Sequence, residues 1–462
     1  MMKRIYRQDT ICAPISGMGG AIMMVRLSGN NAISLAEECF IPKNKSLSLT
    51  KSETHRVYFG DLMDDSLLLD ECLLTVFAEN HSYTGEQSVE FGLHASPFIL
   101  QQLLSLLIRK GARMADPGEF TLRAYLNGKM DLTQAESVAD LISSTSRSAH
   151  RAAITQLKGN FSKKLQLLRK QLLDFASLIE LELDFAEEDV EFADRSRFLI
   201  LLEEIKTEIE TLIHSYKIGN VLKKGVPVAI IGKPNVGKST LLNALLQEDK
   251  AIVSEIAGTT RDVIEDTINI QGVLFRFVDT AGIHNSLDQI EQLGIKRTFQ
   301  KIEEARIVLL VVDSKEISDS SIEKIIQETK LSIDLKEQEL IVLVNKIDEF
   351  PMKTNFESSF NWIPISAKSK FNIEQLENRL SKYVAQFKLE DQSIVTNARH
   401  LEALQHSHES LINISNGFKD NLPTDLISID MRTCLYHLGS ITGDISTDEL
   451  LGNIFSHFCI GK

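Results

Sequence analysis

The chain has 462 residues, 43% of them hydrophobic, which is long enough for two or three domains rather than one. Its formal net charge of −14 at pH 7 argues against a broadly basic nucleic-acid-binding surface, though a local patch or a partner could still bring RNA to it. The five cysteines are dispersed and odd in number and lack C-x-x-C spacing, which predicts reduced thiols in a cytoplasmic protein and no zinc site.

From the start of the chain, Lys3, Arg4 and Arg7 are followed by Asp9, Pro14 and several glycines, a pattern without a signal-peptide core. No apolar run is long enough to span a bilayer, so a soluble protein with no membrane contact is expected. Residues 1–122 carry strand-like runs at Ala21–Leu27, His55–Leu62, Glu71–Phe77 and Ser88–Gly92 and read as a mixed α+β domain. Residues 123–220 turn to helical periodicity, with apolar positions from Leu165 through Leu172 to Ile179 and from Phe198 to Ile213. The acidic run from Glu180 to Glu191 reads as a solvated helix end and loop, in preference to a metal or basic-partner site. Lys217 to Gly225 reads as a short basic linker.

Residues 221–385 hold the densest chemistry. GKPNVGKS at 232–239 fits G-x-x-x-x-G-K-[ST], between the apolar run Val228–Ile231 and the helical run Leu241–Leu246. Strand, glycine loop and helix N-terminus together form an anion cradle of backbone N–H groups. Lys238 would reach the β- and γ-phosphates, Ser239 would ligate Mg²⁺, and Asn235, Val236, Gly237 and Thr240 complete the contact set. Gly258-Thr259-Thr260 supplies Thr260 as a second Mg²⁺ ligand. Asp279-Thr280-Ala281-Gly282 follows the strand Leu274–Val278, placing an acid near metal-bound water and a glycine N–H near the γ-phosphate. Ile283 stands where Ras-like enzymes keep a water-orienting glutamine, so water must be positioned differently.

Base choice is written in Asn345-Lys346-Ile347-Asp348, after the strand Leu340–Val344. The Asp348 carboxylate can accept from the N1–H and exocyclic amine of guanine, an edge adenine lacks, so a buried carboxylate there would reject ATP. Asn345 would hold the purine and brace the loop, and the Lys346 stem would lie along the base. Ser366-Ala367-Lys368, after the strand Trp362–Ile365, offers a backbone N–H to the guanine carbonyl. Together these motifs predict a Ras-like α/β module that binds GTP and GDP and hydrolyses GTP.

Helical periodicity returns over 386–462, so the nucleotide module reads as an insertion in a helical domain. Ser446 to Glu449 is a capping-box pattern opening the last helix. The apolar terminus around Phe458, Cys459 and Ile460 is odd for a tail left in water, and Cys459 taken alone reads as a packed thiol.

Several segments resemble the tRNA modification GTPases of the MnmE (TrmE) family over the whole length. They are DTICAPISGMGGAIMMVRLSG near the start, SYTGEQSVEF at 82–91, ADPGEFTLRAYLNGKMDLTQAESVADLI at 115–142, the nucleotide module, and ITGDISTDELLGNIFSHFCIGK at the end. The resemblance implies a homodimer formed by the N-terminal domains, working with the flavoprotein MnmG as a heterotetramer. Their joint product would be an aminomethyl or carboxymethylaminomethyl group at carbon 5 of the wobble uridine of certain tRNAs. It implies a formyl- or methylene-tetrahydrofolate in the N-terminal domain, contacted by Arg26, Glu90, Lys129 and the terminal Lys462, with Cys459 near that pocket. From the residues alone, Arg26 also fits an edge-strand charge, Glu90 a surface strand residue and Lys129 a turn lysine. Family members usually continue the Glu90 strand into a GHGG-like turn, whereas this chain has Gly92-Leu93-His94-Ala95-Ser96, which predicts a different local backbone course.

The resemblance also bears on the missing glutamine. Asn235, the carbonyls of Ser254 and Ile256, and Thr259 are similar to a K⁺ cage, in a segment where Glu255 and Ala257 join the nucleotide contacts. A cation there neutralises charge in the transition state, and hydrolysis would drive dimerisation of the nucleotide modules. Glu291 resembles the family's water-orienting acid and completes a catalytic set with Lys238 and Asn235, although it also fits an ordinary switch-region carboxylate beside Asp288. A ribosome-assembly GTPase of the Era or Der kind shares GxPNVGKS and NKxD, but it would bring a KH domain or a second nucleotide module. A GTP-gated transporter would bring spanning segments.

Overall fold

The computed structural model describes residues 9–17, 19–44, 48–184, 195–248, 266–278, 305–316, 324, 326–327, 329–331, 333–334, 338–350, 362–386 and 394–462. The chain divides into two compact units, one of Met1–Ala139, Gln156–Ile209 and Glu402–Lys462, the other of Asp140–Thr155 and Glu210–Leu401.

In chain order the first part comprises β1 (Ile11–Pro14), β2 (Ile22–Ser28), α1 (Ala32–Glu37), β3 (Phe40–Pro42), β4 (Arg56–Asp64), β5 (Leu67–Phe77), β6 (Ser88–His94), α2 (Pro97–Arg109) and β7 (Arg113–Met114). The strands form one sheet in the order β3-β4-β5-β6-β2-β1-β7, antiparallel except for the β1–β7 pair. Alternation along β5 decides its faces: Asp70, Cys72, Leu74 and Val76 are buried, while Glu71 and Leu73 are exposed. Cys72, Leu74 and Val76 join Leu103, Leu106 and Leu107 of α2 in one apolar core. All four strand-like runs seen in the sequence fall in β2, β4, β5 and β6. The β6 ladder continues through Gly92 to His94, paired with Ile22, and Asp70 fixes its end by accepting from His94 N (2.9 Å) and meeting Nδ1 (2.8 Å).

Helices follow: α3 (Glu119–Leu126), α4 (Leu132–Ser143), α5 (Arg147–Leu157), α6 (Asn160–Asp184) and α7 (Arg195–Lys224). The basic stretch from Lys217, expected as a linker, is the last part of the 30-residue helix α7. Val221 and Leu222 explain this, since both are buried in the core of the nucleotide unit and give the stretch a reason to stay helical.

The nucleotide unit continues with β8 (Val226–Ile231), α8 (Lys238–Glu248), β9 (Asp266–Ile270), β10 (Val273–Val278), β11 (Ile307–Asp313), β12 (Glu339–Asn345), β13 (Trp362–Pro364) and α9 (Ile373–Ala385). Its sheet runs β13-β12-β11-β8-β10-β9, parallel apart from the β9–β10 hairpin. Near-continuous burial along β8 and β11 is what a parallel strand covered on both faces requires. Ile373, Leu376, Leu380 and Val384 form the buried stripe of α9.

The chain closes with α10 (Ala398–Lys419), α11 (Thr424–Thr442) and α12 (Asp448–Ser456). In the first unit α6 lies beside α11, with Arg432 bonded to Glu180 (2.8 Å) and Arg169 Nε donating to Leu435 O (3.4 Å). Glu180, the first carboxylate of the acidic run, thus holds an ion pair with Arg432. The N-cap of α12 is Thr447, whose hydroxyl accepts from Leu450 N (3.2 Å), one residue later than the Ser446–Glu449 box. Leu451, Phe455 and Phe458 bury against Leu132 and Ala135 of α4. Among the described residues no helix is long and apolar enough to cross a membrane.

Candidate functional site

The phosphate loop joins the end of β8 to the start of α8. Asn235 adopts φ 62° and Gly237 φ 99°, the left-handed conformations from which an anion-binding nest of backbone N–H groups is built. A Cβ on Gly237 would run into Asn345 Nδ2, so the loop needs glycine there for space as well as conformation. Lys238 Nζ donates to Gly232 O (2.8 Å) and Lys233 O (2.7 Å), which ties the ammonium to the loop it serves. Burial lowers its pKa from the usual lysine value. An ammonium has three donors, so Lys238 can hold both carbonyls and still meet a phosphate oxygen. Val236 is buried, while Ser239 and Thr240 lie on the first turn of α8, where a hydroxyl can reach Mg²⁺.

One buried side chain connects this loop to the base-reading segments. Asn345 Nδ2 donates to Val236 O (2.8 Å) and its Oδ1 accepts from Ala367 N (2.9 Å). The amide therefore braces three loops at once. Ser366 is buried, bridges Phe371 through paired backbone bonds of 3.1 Å, and its hydroxyl accepts from Ser369 N (3.1 Å). Asp348 is exposed in the turn after β12, not the buried carboxylate expected from the sequence, because the turn closes on the Lys346 carbonyl and leaves this side chain facing out.

Lys346 has φ 66°, its Nζ pairs with Asp313 Oδ2 (2.8 Å), and its carbonyl accepts from Ser314 Oγ (3.0 Å). Burial pushes the Asp313 carboxyl up, but its bonds to Lys346 and to Lys315 N outweigh that and hold it below the ordinary carboxylate range. Asp313 was invisible to motif reading, because it looks like the polar end of an apolar strand. Its place opposite Asn345 emerges only from the register of the β11–β12 ladder, so the sequence held no signal for it.

The N-terminal unit gathers the other candidate residues. Arg26 on β2 and Glu90 on β6 are cross-strand partners, joined by Nε–Oε1 (2.9 Å) and Nη2–Oε1 (2.8 Å) contacts and only 12% and 15% exposed. The Arg26 guanidinium lies 5.0 Å from the Tyr83 ring centroid and 5.3 Å from that of Phe120. Neither aromatic was singled out from sequence. The tail reaches the same sheet: a Cβ on Gly461 would collide with Pro14 O, and Pro14 adjoins Ala13, the β1 partner of Arg26. Cys459 O accepts from Gly118 N and Lys462 N (both 3.3 Å), but its thiol is exposed rather than packed as expected, the backbone and not the side chain making the contact. Lys129 is exposed and donates to Asn80 O (2.9 Å), in the loop whose Thr84 O accepts from Asn127.

Beneath this surface lies an ion network. Arg123, 6% exposed, donates to Asp9 (2.7 Å), Glu86 (3.0 Å) and Glu119 (3.0 Å), while Arg113 pairs with Asp9 (2.6 Å) and Glu119 (2.5 Å). Burial raises the Asp9 and Glu119 carboxyls, but the two guanidinium groups dominate and hold both below their ordinary values. The PGEFTLRA segment thus owes its charged positions to this network.

Ser254, Glu255, Ile256, Ala257, Gly258, Thr259, Thr260, Asp279, Thr280, Ala281, Gly282 and Glu291 lie outside the described residues. Within them, a phosphate cradle at a strand–helix turn is tied through Asn345 to a guanine-type base loop on a largely parallel sheet. Those features define a phosphate-loop GTPase that carries an additional sheet domain and helices.

Comparison with known proteins narrows the class. A family model described as the MnmE helical domain matches residues 132–459, and one described as the GTP-binding protein TrmE N-terminus matches 10–129. The tRNA modification GTPase MnmE of Flavobacterium psychrophilum is 49% identical over 460 residues, covering 98% of this chain and 99% of its own. That of Cytophaga hutchinsonii is 50% identical over 459 residues, with 98% of each chain covered. Among solved structures, a point variant of Aquifex aeolicus Era bound to GDP and aluminium fluoride is 31% identical, covering 40% of this chain and 66% of that one at a TM-score of 0.27. The chain belongs to the MnmE family of tRNA modification GTPases, which function in wobble-uridine modification.

Proposed function

We propose that this chain is a K⁺-stimulated GTPase that works as a homodimer, and with MnmG as a heterotetramer, on certain tRNAs. Together they install the aminomethyl or carboxymethylaminomethyl group at carbon 5 of the wobble uridine. In this reading residues 1–122 form the folate-binding and dimerisation domain. Residues 123–220 with 386–462 form the helical domain, and 221–385 the GTPase domain.

The observation that carries the reading is the meeting of Gly461 with Pro14 beside the Arg26–Glu90 pair. A terminal tail with no phosphate-binding features is held against a sheet that presents a carboxylate, a guanidinium and two aromatic rings, a donor set suited to a flat, hydrogen-bonding pterin. Glu90 would accept from pterin N–H groups, Arg26 would orient the ring and Glu90, and Lys129 and Lys462 would meet anionic groups. A tetrahydrofolate derivative bound there supplies the one-carbon unit. Dimerisation is supported by the outer face of β3, β4 and β5. There Ile41, Val57, Phe59 and Leu73 are 49%, 58%, 51% and 52% exposed on one face, bordered by the Lys43–Asp61 and Lys43–Glu71 pairs.

In the GTPase domain, Ser239 and Thr260 would ligate Mg²⁺, and Asn235 with Ser254, Ile256 and Thr259 would hold K⁺. The left-handed, exposed Asn235 suits that role, because its side chain is free of the loop's own packing. A bound K⁺ supplies positive charge where other systems use an arginine. Lys238 then holds the phosphate oxygens and Glu291 orients water. The experiment is titration of the full chain and of Arg26→Gln and Glu90→Gln with 5-formyltetrahydrofolate, beside wobble-uridine analysis in a deletion strain complemented with each. About tenfold or greater loss of folate affinity together with loss of the modified nucleoside is expected. Unchanged affinity in both variants would remove the folate assignment.

A further inference from the structure

We propose that Asp313 and Ser314 are positioning residues that hold the base-reading loop in its nucleotide-binding shape and so set how slowly guanine nucleotides leave. The inference rests on the base-reading assignment of Asn345, Lys346 and Asp348.

It begins with the backbone of Lys346, whose φ of 66° is a left-handed conformation that residues with a Cβ rarely adopt. Such a residue persists only where its surroundings over-determine it. Two neighbours do so here. Ser314 Oγ donates to the Lys346 carbonyl at 3.0 Å, and Asp313 Oδ2 accepts from Lys346 Nζ at 2.8 Å. The Asp313 carboxylate is itself aimed by its own turn, because Oδ1 accepts from Lys315 N at 3.0 Å. Asp313 is 14% exposed and Lys346 29%, so water screens the pair only in part.

The arrangement has a direct path to the base. The Lys346 carbonyl that Ser314 holds also accepts from Glu349 N (3.0 Å) and Phe350 N (3.2 Å), closing the turn that carries Asp348. If Lys346 relaxes toward a right-handed conformation, its carbonyl rotates and the Asp348 turn loses its anchor. Asp313 lies opposite Asn345 in the β11–β12 ladder, so the clamp joins the ends of two adjacent strands and needs no long-range rearrangement. A preformed loop holds a ligand by avoiding the cost of ordering, and the loss of that advantage is read mainly in the dissociation rate. The bonds of Asp313 and Ser314 run to Lys315 and Lys346 rather than to the phosphate loop, so the chemical step should be spared.

The test uses the full chain with Mg²⁺ in K⁺ buffer. Asp313→Asn keeps an acceptor for Lys315 N and removes the charge facing Lys346, whereas Ser314→Ala removes only the bond to the Lys346 carbonyl. Release of fluorescent N-methylanthraniloyl-GDP is followed by stopped flow, beside kcat and KM for GTP. Asp313→Asn should speed release about three- to tenfold and Ser314→Ala about two- to fivefold. KM should rise in parallel, with kcat staying within about twofold of the unaltered value. The double variant should fall short of the product of the two, because both act on Lys346.

Asp348→Asn is measured alongside, with xanthine nucleotides offered. If it redirects base preference while Asp313→Asn and Ser314→Ala release GDP at the unaltered rate, the base-reading loop stands and the clamp is wrong. If guanine preference survives Asp348→Asn, the base-reading assignment fails first. A fall in kcat at unchanged release would also overturn the clamp. Should Asp313→Asn lose its fold by circular dichroism, the Ser314→Ala rate decides.

Discussion

The two candidate sites of this molecule are built in opposite ways. In the nucleotide unit, glycines, a lysine and an asparagine sit within a few residues of strand ends, and the local chain geometry makes the site. In the N-terminal unit the groups come from β2, β6, the loop before β6, α3 and the last residues of the chain, and tertiary contacts make the site. The difference predicts that the first should fail through single backbone positions, and the second through the charges and packing beneath it.

The largest effect should come from Gly237→Ala. The new Cβ meets Asn345 Nδ2 at a φ of 99°, so strain combines with loss of the bonds from Asn345 to Val236 O and Ala367 N. Those costs sum to about 3–4 kcal/mol, a several-hundredfold loss of GDP affinity by equilibrium binding, with folate affinity unchanged. Glu291→Ala should slow single-turnover hydrolysis in K⁺ by roughly ten- to a thousandfold while binding of a non-hydrolysable GTP analogue holds. Lost binding would make Glu291 structural, and an unchanged rate would return it to the surface.

Arg123→Gln is the corresponding strike at the N-terminal unit. Asp9 and Glu119 would be left to Arg113 and Glu86 to the Ser28 hydroxyl, and because Asp9 is 31% exposed the cost falls below that of a fully buried pair, at about 2–3 kcal/mol by calorimetric unfolding. GTP turnover should stay within about twofold. Equal destabilisation of nucleotide binding would erase the contrast between the two units.

The smallest effect is on acid stability. Asp9 and Glu119 have folded pKa values below their ordinary 3.8 and 4.5, so the stability they confer is fully present above those values and is lost as pH falls through the lowered ones. The unaltered protein should therefore lose more of its urea midpoint than Arg123→Gln between about pH 5 and pH 3. Parallel curves would mean that the network does not hold those protons off.

Legibility in the sequence follows the same division. The phosphate loop could be read because its glycine and lysine spacing encodes a turn whose partners are adjacent, and β8, β10, β12 and β13 could be read from apolar runs beside the motifs. Arg26 and Glu90 are 64 residues apart, so composition and periodicity gave no sign of their pairing, and only the family resemblance singled them out. β3 and β7, with three and two residues, are too short to leave a pattern. The Lys217–Gly225 stretch misled because its lysines suggest a linker, while burial of Val221 and Leu222 keeps it in α7. Asp313 escaped notice because its partner Lys346 is 33 residues away and becomes a neighbour only through strand pairing.

The division of labour between a locally encoded nucleotide site and the proposed, tail-completed folate site is tested most directly by removing Cys459 to Lys462. On that truncated protein, folate affinity and GTP turnover in K⁺ are measured side by side. Folate binding weakened about tenfold or more, with turnover within about twofold of the full chain, is the predicted result, since the tail reaches Pro14 and Gly118 in the N-terminal unit. Turnover destroyed while folate binding is unchanged would contradict it.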